Sequence, residues 1–217
     1  KGVTYGEGIF IGYRYYDKKN MSVRWPFGHG ESYTTFSYTN PRLSNACLDD
    51  QGTVTVSVDV MNTGSRFAKE VVQLYIADRT GTPERPEKEL KGFVKLSLEP
   101  GKTKTAKLTV NARSLSWYHE ELGDWYAAPG NYELLLAHSS RDIRASISLE
   151  FTTQKFPPLK IDRNTTIGAL LADPRTAPII QEFCKKTAGL LSTDSFDDGE
   201  KSSVASEAIS AEMNRQM

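Results

Sequence analysis

The most regular pattern in the sequence is a strict alternation of apolar and polar residues from Thr53 to Val60. Every second residue from Val54 onward is valine, and the residues between the valines are polar. Successive side chains of a strand point to opposite faces of a sheet, so this period of two is typical of a half-buried strand. Comparable alternation predicts further strands at Val72–Ile76, Val94–Leu98, Ala106–Val110, Tyr132–Leu136 and Ala145–Phe151.

Turn-forming segments separate the predicted strands. They are rich in glycine, proline and asparagine, which suit the backbone angles of tight turns. These segments lie at Asn62–Ser65, Gly81–Pro83, Glu99–Lys102 and Pro129–Asn131. Short strands joined by turns, with no helical pattern between them, indicate an antiparallel β-sandwich or barrel. With Phe36–Leu48 as a first strand, the region holds about seven strands in roughly 115 residues, the size of an immunoglobulin-like sandwich.

One tyrosine matches a specific feature of such sandwiches. Tyr132 follows Pro129 and Gly130 at the start of a predicted strand. Sandwiches of this class place there a tyrosine whose hydroxyl bonds back to an upstream carbonyl. We therefore predict that Tyr132 forms a tyrosine corner. The alternative, that Tyr132 is one more inward-facing aromatic residue, leaves the sandwich prediction unchanged.

The two ends of the chain follow other patterns. Residues 1–35 are rich in glycine and tyrosine, and they predict one short strand followed by loops, too little to fold alone. After Pro158 the pattern becomes helical, with Asp173 and Pro174 predicting the start of a helix and Gly189 its end. The apolar stripe of this helix is Ile179, Ile180, Phe183 and Cys184.

The acidic stretch Ser192–Glu200 predicts a linker to a last helix that reaches Met217 without a stop signal. The chain begins at Lys1 with no basic and apolar leader pattern. We therefore expect the chain to be a piece of a longer protein. The lack of a visible signal peptide favours a cytoplasmic location. The predicted parts are residues 1–35, a β-sandwich at 36–153, and an extended linker with a helical tail at 154–217.

Composition and charge exclude several classes of function. The 27 lysine and arginine residues balance 27 aspartate and glutamate residues, whereas binding to nucleic acid or an anionic membrane requires a basic excess on one face. No run of apolar residues reaches the roughly 18 residues that a membrane-spanning helix requires. Cys47 and Cys184 are far apart and match no disulfide or zinc framework, so we interpret both as ordinary thiols.

The residue pattern alone predicts no catalytic or metal site. His29, His119 and His138 are widely separated in the sequence, which argues against a metal site. No phosphate-binding glycine loop, dinucleotide fingerprint or serine elbow motif is present. We therefore expect no cofactor, and the pattern identifies no substrate-binding residue.

The stretch from 117 to 126 has two interpretations. Glu120, Glu121 and Asp124 lie close together, and paired carboxylates can perform acid–base chemistry. A polar loop closed by a turn explains His119–Trp125 more simply. The aromatic residues Trp117, Tyr118, Trp125 and Tyr126 beside the carboxylates form either a sugar-binding face or a packed loop.

Several motifs, taken in order, resemble one known family. They are Tyr5–Asp17, Pro26–Phe36, Asn62–Ser65, Glu70–Tyr75, Arg85–Phe93, Leu98–Gly101 and Ser139–Ile143. The first two resemble the end of the second catalytic domain of glycoside hydrolase family three, the bacterial and fungal β-glucosidases. The others resemble the fibronectin type III-like domain that follows it, so the resemblance covers residues 3–152. The tail Leu159–Met217 resembles a C-terminal extension of some bacterial members.

The resemblance implies a longer parent enzyme, a retaining β-glycosidase with an aspartate nucleophile and a glutamate acid/base. Neither motif is present here. In some members of the family the domain order is permuted, so the barrel domain with the nucleophile either precedes or follows this region in the parent enzyme. We therefore expect the chain to be inactive alone and to buttress the remaining catalytic domains of the parent glycosidase, its expected partner. The alternative is an independent sandwich module that binds carbohydrate or protein.

The resemblance also implies that residues 1–35 are a remnant of the α/β catalytic domain together with the hinge that leads into the sandwich. The expected hinge residues are Arg14, Trp25, Phe27, His29 and Tyr33. We expect the three aromatic residues to pack in the seam between domains rather than stack on sugar. We expect His29 to donate hydrogen bonds within a tight turn and Arg14 to pair with a carboxylate. Glu31 stands where the family motif has an apolar residue. This departure concerns the packing of the hinge and leaves the family resemblance unchanged.

Overall fold

A computed structural model of the chain describes residue 2 and residues 6–81, 85–158, 161–173 and 175–193. The chain divides into two compact units, Lys1–Pro158 and Leu159–Met217. The first unit is mainly β, and the described part of the second is helical. No helix among the described residues has the length and apolar character needed to cross a lipid bilayer.

The first unit is a β-sandwich of two sheets, which confirms the predicted fold class. Its strands are β1 (Phe36–Leu43), β2 (Cys47–Leu48), β3 (Thr53–Asn62), β4 (Ala68–Asp78), β5 (Glu89–Leu98), β6 (Thr103–Asn111), β7 (Trp117–His119), β8 (Asp124–Tyr126), β9 (Gly130–Ser139) and β10 (Asp142–Phe151). One sheet has the strand order β1-β3-β6, and the other has the order β2-β10-β9-β4-β5. Strands β7 and β8 form a separate hairpin.

The core between the sheets comes from the alternating residues. The register pairs Val56 with Leu108 and Val58 with Ala106 across β3 and β6. Val56 and Val58 are completely buried, and they pack in one cluster with inward-facing residues of the second sheet such as Leu136. The polar residues between them point away from this core, as a period of two requires.

The five-stranded sheet is buried on its second face as well. A separate cluster of buried side chains, Tyr75, Ala77, Leu135 and Ala137, lies on the face of β4 and β9 that points away from the sandwich core. Tyr13 and Leu90 pack against this cluster. We call this second face the outer face. Its cover comes from the chain segment that precedes the sandwich.

The predicted first strand, Phe36–Leu48, is wrong in its extent, because the chain changes sheets within it. Strand β1 pairs with β3, whereas β2 pairs with β10 in the other sheet, parallel to it. The backbone of Asn40 has a positive φ of 54°, and the pairing with β3 shifts between Thr39 and Arg42. The side chain of Asn45 then accepts a hydrogen bond from the Cys47 amide and closes the turn into β2.

The predicted short strand within residues 1–35 is also wrong. The described residues of this segment form a one-and-a-half-turn helix, α1 (Tyr13–Lys18), and no strand before Phe36. The helical spacing places Tyr13 and Asp17, four residues apart, on one side of α1. Both side chains contact the sandwich, so tertiary contacts favour a helix where the local sequence indicated a strand.

The remaining helices are α2 (Ala112–Leu115), α3 (Ile167–Ala172) and α4 (Ala177–Thr193), with a 3₁₀ turn at Glu120–Leu122. The Asn111 side chain accepts a hydrogen bond from the Ser114 amide and caps α2. Helix α4 begins later than predicted, and the Asp173 carbonyl accepts from the amides of Thr176 and Ala177 at its start.

Helix α4 continues past Gly189, so the predicted end at this glycine is wrong. A glycine inside a helix costs about 1 kcal/mol relative to alanine, and leucines, which favour helix, follow it. Within the stripe, Ile179 and Phe183 are 65% and 63% exposed. Pro174 and the residues from 194 onward, with most of the predicted linker and the last helix, lie outside the described residues.

Candidate functional site

Residues 6–35 bind the outer face of the five-stranded sheet, and we call this contact the seam. At its centre the ring of Tyr13 stacks on Phe27, with 4.9 Å between ring centroids, and meets the edge of Tyr75 at 5.9 Å. The Tyr13 hydroxyl accepts a hydrogen bond from the Leu90 amide at 2.9 Å. Tyr75 is completely buried, and burial raises the pKa of its hydroxyl far above the ordinary value.

A buried ion pair forms the second part of the seam. The Asp17 side chain is only 6% exposed, and it accepts hydrogen bonds from Lys88 Nζ at 2.8 Å and Arg141 Nε at 3.1 Å. Arg141 also donates to the carbonyl of Met21 at 2.6 Å. A carboxylate removed from water requires such partners, so this ion pair fixes where α1 sits on the sheet.

An amide side chain on β4 forms the third part. Gln73 Nε2 donates to the carbonyls of Gly28 and His138, at 3.0 and 2.5 Å, and its Oε1 accepts from the Tyr75 hydroxyl at 2.7 Å. Nearby, the Ser140 amide donates to the carbonyl of Phe27 at 2.8 Å. Gly28 has a φ of 76°, and a Cβ there would lie 2.1 Å from Gln73 Oε1. Glycine is therefore the residue that fits this turn.

A polar cluster at the end of the seam joins β1, β4 and β9 to the hinge. Glu70 Oε1 lies 2.7 Å from the Tyr38 hydroxyl and 2.6 Å from His138 Nδ1. His138 Nε2 lies 2.9 Å from the carbonyl of Gly30. The Glu70 side chain is only 3% exposed. Burial, and then the charge of Glu70, raise the pKa of Tyr38, which keeps that hydroxyl protonated.

Arg14, an expected hinge residue, contacts a carboxylate on β5. Its guanidinium lies 3.0 Å from Glu89 Oε1, and Glu89 also pairs with Arg85 at 2.8 Å and Lys91 at 3.3 Å. Burial alone would raise the pKa of Glu89, but the three cations outweigh it, so its pKa lies below the ordinary value. The structure therefore places Arg14 at the edge of the seam.

Of the other expected hinge residues, Phe27 and His29 lie in the turn Pro26–His29, Trp25 directly precedes this turn, and Tyr33 follows it. The His29 amide donates to the carbonyl of Pro26 at 3.0 Å, and the His29 ring stacks on Trp25 with 5.0 Å between centroids. Phe27 is 48% exposed, Trp25 is 60% exposed and Tyr33 is 93% exposed. Phe27 thus contacts the seam through Tyr13, whereas Trp25 and Tyr33 present most of their surface outward.

Tyr132 lies in the core at the start of β9 and is 1% exposed. Its hydroxyl donates to the carbonyl of Ala128, four residues upstream, at 2.8 Å. Burial raises the pKa of this hydroxyl, so it remains a donor. This geometry supports the interpretation of Tyr132 as a tyrosine corner.

Residues 119–125, predicted to be a polar loop closed by a turn, form the end of the β7–β8 hairpin, which closes through the 3₁₀ turn at Glu120–Leu122. A groove of about 990 Å³ lies beside the hairpin. The guanidinium of Arg113 lies 3.1 Å from the centroid of the Trp125 ring, and that of Arg85 lies 5.0 Å from the centroid of Trp117. Each of these indole faces therefore carries an arginine, the arrangement of a cation–π contact rather than an open platform for sugar.

One carboxylate of the hairpin, that of Asp124, is held in an ion pair. Asp124 contacts Lys155 Nζ at 2.5 Å, and the hydrogen bond from Lys155 lowers the pKa of Asp124. Among the described residues, no group of three or more histidine, cysteine, aspartate or glutamate side chains is arranged to hold a metal ion. Cys47 and Cys184 are both free thiols.

Sequence reasoning missed the residues that form the seam on the sandwich side, namely Glu70, Gln73, Tyr75, Lys88, His138 and Arg141. A usable signal was present, because Leu74–Ala77 and Leu134–Ala137 are apolar without interruption. An uninterrupted apolar run is typical of strands that are buried on both faces. It therefore indicated that another part of the chain covers β4 and β9.

Comparisons with known proteins match this architecture. The family model for the fibronectin type III-like domain matches residues 70–140. The chain is 36% identical over 192 residues to the thermostable beta-glucosidase B of Acetivibrio thermocellus, covering 88% of this chain and 25% of that protein. It is 42% identical over 159 residues to the beta-glucosidase B of Emericella nidulans, covering 72% of this chain and 18% of that protein.

Solved structures show the same relation. A crystal structure of a Bifidobacterium adolescentis GH3 beta-glucosidase superposes with a TM-score of 0.71 at 34% identity, covering 81% of this chain and 25% of that one. The beta-glucosidase 3B of Thermotoga neapolitana, in complex with α-D-glucose, superposes with a TM-score of 0.64 at 36% identity, covering 71% and 21%. The chain thus spans about a quarter or less of these proteins.

Proposed function

We propose that the chain is the non-catalytic part that buttresses the catalytic domains of a glycoside hydrolase family three β-glucosidase. The proposal is supported by the match to the C-terminal region of such enzymes, which includes their fibronectin type III-like domain. The partner of the chain is the remainder of the parent glycosidase. The reaction of that parent is hydrolysis of terminal β-glycosidic bonds with retention of configuration.

The seam is the observation that carries this proposal. Asp17 and Gln73 attach residues 6–35 to the sandwich through buried polar contacts. The same segment leaves Trp25 and Tyr33 60% and 93% exposed. Large apolar side chains grouped on a surface mark an interaction site. A segment that is fixed to the sandwich by buried contacts and carries exposed aromatic side chains suits the junction between a sandwich and a catalytic domain.

The state of the carboxylates supports a non-catalytic role. A retaining glycosidase requires two carboxyl groups about 5–5.5 Å apart that face the substrate. In this chain Asp17 is buried between two cations, Asp124 pairs with Lys155, and Glu70 is buried between Tyr38 and His138. We therefore assign the nucleophile and the acid/base of the proposed parent to residues outside this chain.

The groove beside the β7–β8 hairpin is less suited to an independent carbohydrate-binding module. Sugar recognition by tryptophan needs an open indole face, and the contacts of Arg85 and Arg113 occupy faces of Trp117 and Trp125. Tyr118 is 52% exposed, but it meets the edge of Trp125. The seam therefore supports the buttressing role more strongly than the hairpin supports sugar binding.

The test uses the chain alone and the longer enzyme encoded around it. We expect no hydrolysis of an aryl β-glucoside by the purified chain and hydrolysis by the longer enzyme. In the longer enzyme, the double variant Trp25→Ala, Tyr33→Ala should inactivate at a lower temperature with an unchanged KM, because the junction loses apolar contact area. The matched control is Tyr118→Ala, which removes an exposed aromatic side chain from the hairpin.

Two results would contradict the proposal. One is turnover by the chain alone that survives a mock purification and disappears in Glu121→Gln. The other is a double variant whose inactivation temperature equals that of the unmodified enzyme.

A further inference from the structure

His138 connects the hinge to the buried carboxyl group of Glu70. One ring nitrogen, Nδ1, lies 2.6 Å from Glu70 Oε1, and the other, Nε2, lies 2.9 Å from the carbonyl oxygen of Gly30. The Tyr38 hydroxyl donates to the same oxygen of Glu70 at 2.7 Å. Both atoms that face the imidazole are therefore hydrogen-bond acceptors.

This geometry depends on the protonation state of the ring. A neutral imidazole carries one N–H and can donate only one hydrogen bond, whereas an imidazolium donates two. Facing two acceptors, a neutral His138 leaves a lone pair against either the Glu70 oxygen or the Gly30 oxygen. The protonated ring satisfies both contacts, and its charge also pairs with the Glu70 carboxylate.

We propose that His138 is a pH-dependent latch, which in its protonated form holds the hinge at Gly30 against the sandwich and on deprotonation releases it. The latch would regulate the junction assigned above, and to that extent it rests on the proposed function. Loss of the proton leaves a single N–H, which cannot serve both Glu70 and Gly30.

The released part of the hinge is bounded by contacts that do not titrate near neutral pH. On one side, Gln73 holds the carbonyl of Gly28. On the other, the Thr34 hydroxyl donates to Asn62 Oδ1 at 2.6 Å, and the Asn62 side chain is buried. Only residues 29–33 lie between these two attachment points. The latch therefore acts on the short stretch that carries the exposed Tyr33.

The charged groups around His138 come from several elements. Glu70 and Lys69 lie on β4, Tyr38 on β1, Lys95 on β5, Asp142 and Arg144 on β10, and His29 and Glu31 in the hinge. Burial lowers the pKa of His138, but the hydrogen bonds to Glu70 and Gly30 outweigh this effect, so its pKa lies above the ordinary value. The latch is accordingly closed below the ordinary histidine pKa of about 6.5 and opens as the pH rises through the raised value.

The chain has three histidines, so one nuclear magnetic resonance titration of the ¹⁵N-labelled full chain follows each ring. We expect the midpoint of His138 to lie above the midpoint of the same ring in the urea-unfolded chain. The amide signals of Gly30, Glu31 and Ser32 should shift with the midpoint of His138. The amide of Val58, in the sandwich core, should show no shift with that midpoint.

Variants separate the latch from a purely structural role. His138→Gln should abolish the titration of the hinge amides, and Glu70→Gln should lower the midpoint of His138. The matched control is His119→Gln, which removes a histidine from the β7–β8 hairpin and should leave the hinge titration unchanged. If His138→Gln does not fold, the titration of the unmodified chain still tests whether the hinge amides shift with the protonation of His138.

Two results would overturn the latch proposal. One is a titration midpoint of His138 at or below its midpoint in the unfolded chain. The other is that the amide signals of Gly30, Glu31 and Ser32 do not shift with the midpoint of His138. These measurements use the isolated chain, so they are independent of the test of the buttressing role. A working latch in a chain that fails to stabilise the longer enzyme would contradict the proposed function alone.

Discussion

The two faces of the five-stranded sheet are covered in different ways. The inner face packs aliphatic side chains such as Leu74 and Leu136 against the valines of β3. The outer face places Tyr75 and its neighbours under residues 6–35. There the contact combines an aromatic ring, a buried ion pair at Asp17 and the branched hydrogen bonds of Gln73.

The two faces therefore contribute differently to the fold. Burial of apolar area is strong but non-directional, so the inner face stabilises the sandwich without fixing the orientation of another segment. Ion pairs and hydrogen bonds require defined geometry, so the outer face fixes how residues 6–35 lie on the sheet. The sandwich core thus supplies stability, and the seam fixes the orientation of residues 6–35 on the sheet.

The largest expected effect comes from a change on the inner face. Leu136 is completely buried in the core, and Leu136→Ala should destabilise the first unit by about 2–5 kcal/mol, because the substitution removes apolar contacts and leaves a cavity. Denaturant unfolding followed by circular dichroism measures the change. The midpoint should shift for every β signal together.

Leu171→Ala is the matched control, since Leu171 lies on α3 in the second unit and is 41% exposed. It should change the unfolding of the sandwich by less than about 0.5 kcal/mol. If Leu136→Ala were as mild as this control, the inner face would not be the main source of stability.

A smaller and more local effect is expected from the seam. Asp17→Asn removes the negative charge that pairs with Lys88 and Arg141, and leaving these donors without a carboxylate should cost about 1–3 kcal/mol. Hydrogen exchange should increase in α1 and in the adjoining residues 19–30. The amides of β3 should exchange as slowly as before.

The control for this variant is Asp142→Asn. Asp142 pairs with Arg144 at 2.7 Å on the surface, where both side chains are about 40% exposed, and exposed ion pairs contribute about 0–1 kcal/mol. Equal effects of the two substitutions would show that the buried ion pair does not hold the segment.

The inner face could be predicted from the sequence because its information is local. Alternation within single strands such as Thr53–Val60 identifies the buried residues without knowledge of the partner strand. The turn segments then separate the strands, and the resulting count indicates the sandwich. The predicted strands at Ala106–Val110 and Ala145–Phe151 were confirmed for the same reason.

The seam could not be predicted in the same way, because its contacts join residues that are distant in the sequence. Asp17 and Lys88 are 71 positions apart, and Glu70 and His138 are 68 positions apart. Which side chains meet depends on the register of β4 with β9 and on the place where α1 lies. A local sequence pattern encodes neither this register nor the position of α1. The hinge residues were therefore predicted only through family resemblance.

The most direct test of this account compares residues 36–153 with residues 1–158. The alternating strands supply a complete inner core, so we expect residues 36–153 to fold cooperatively, with a lower free energy of unfolding than residues 1–158. The shorter chain should also bind an apolar dye more strongly, because Tyr75 and Leu135 lose the cover of residues 6–35. Equal free energies of unfolding with no additional dye binding would show that residues 6–35 do not cover the outer face, and would contradict the account.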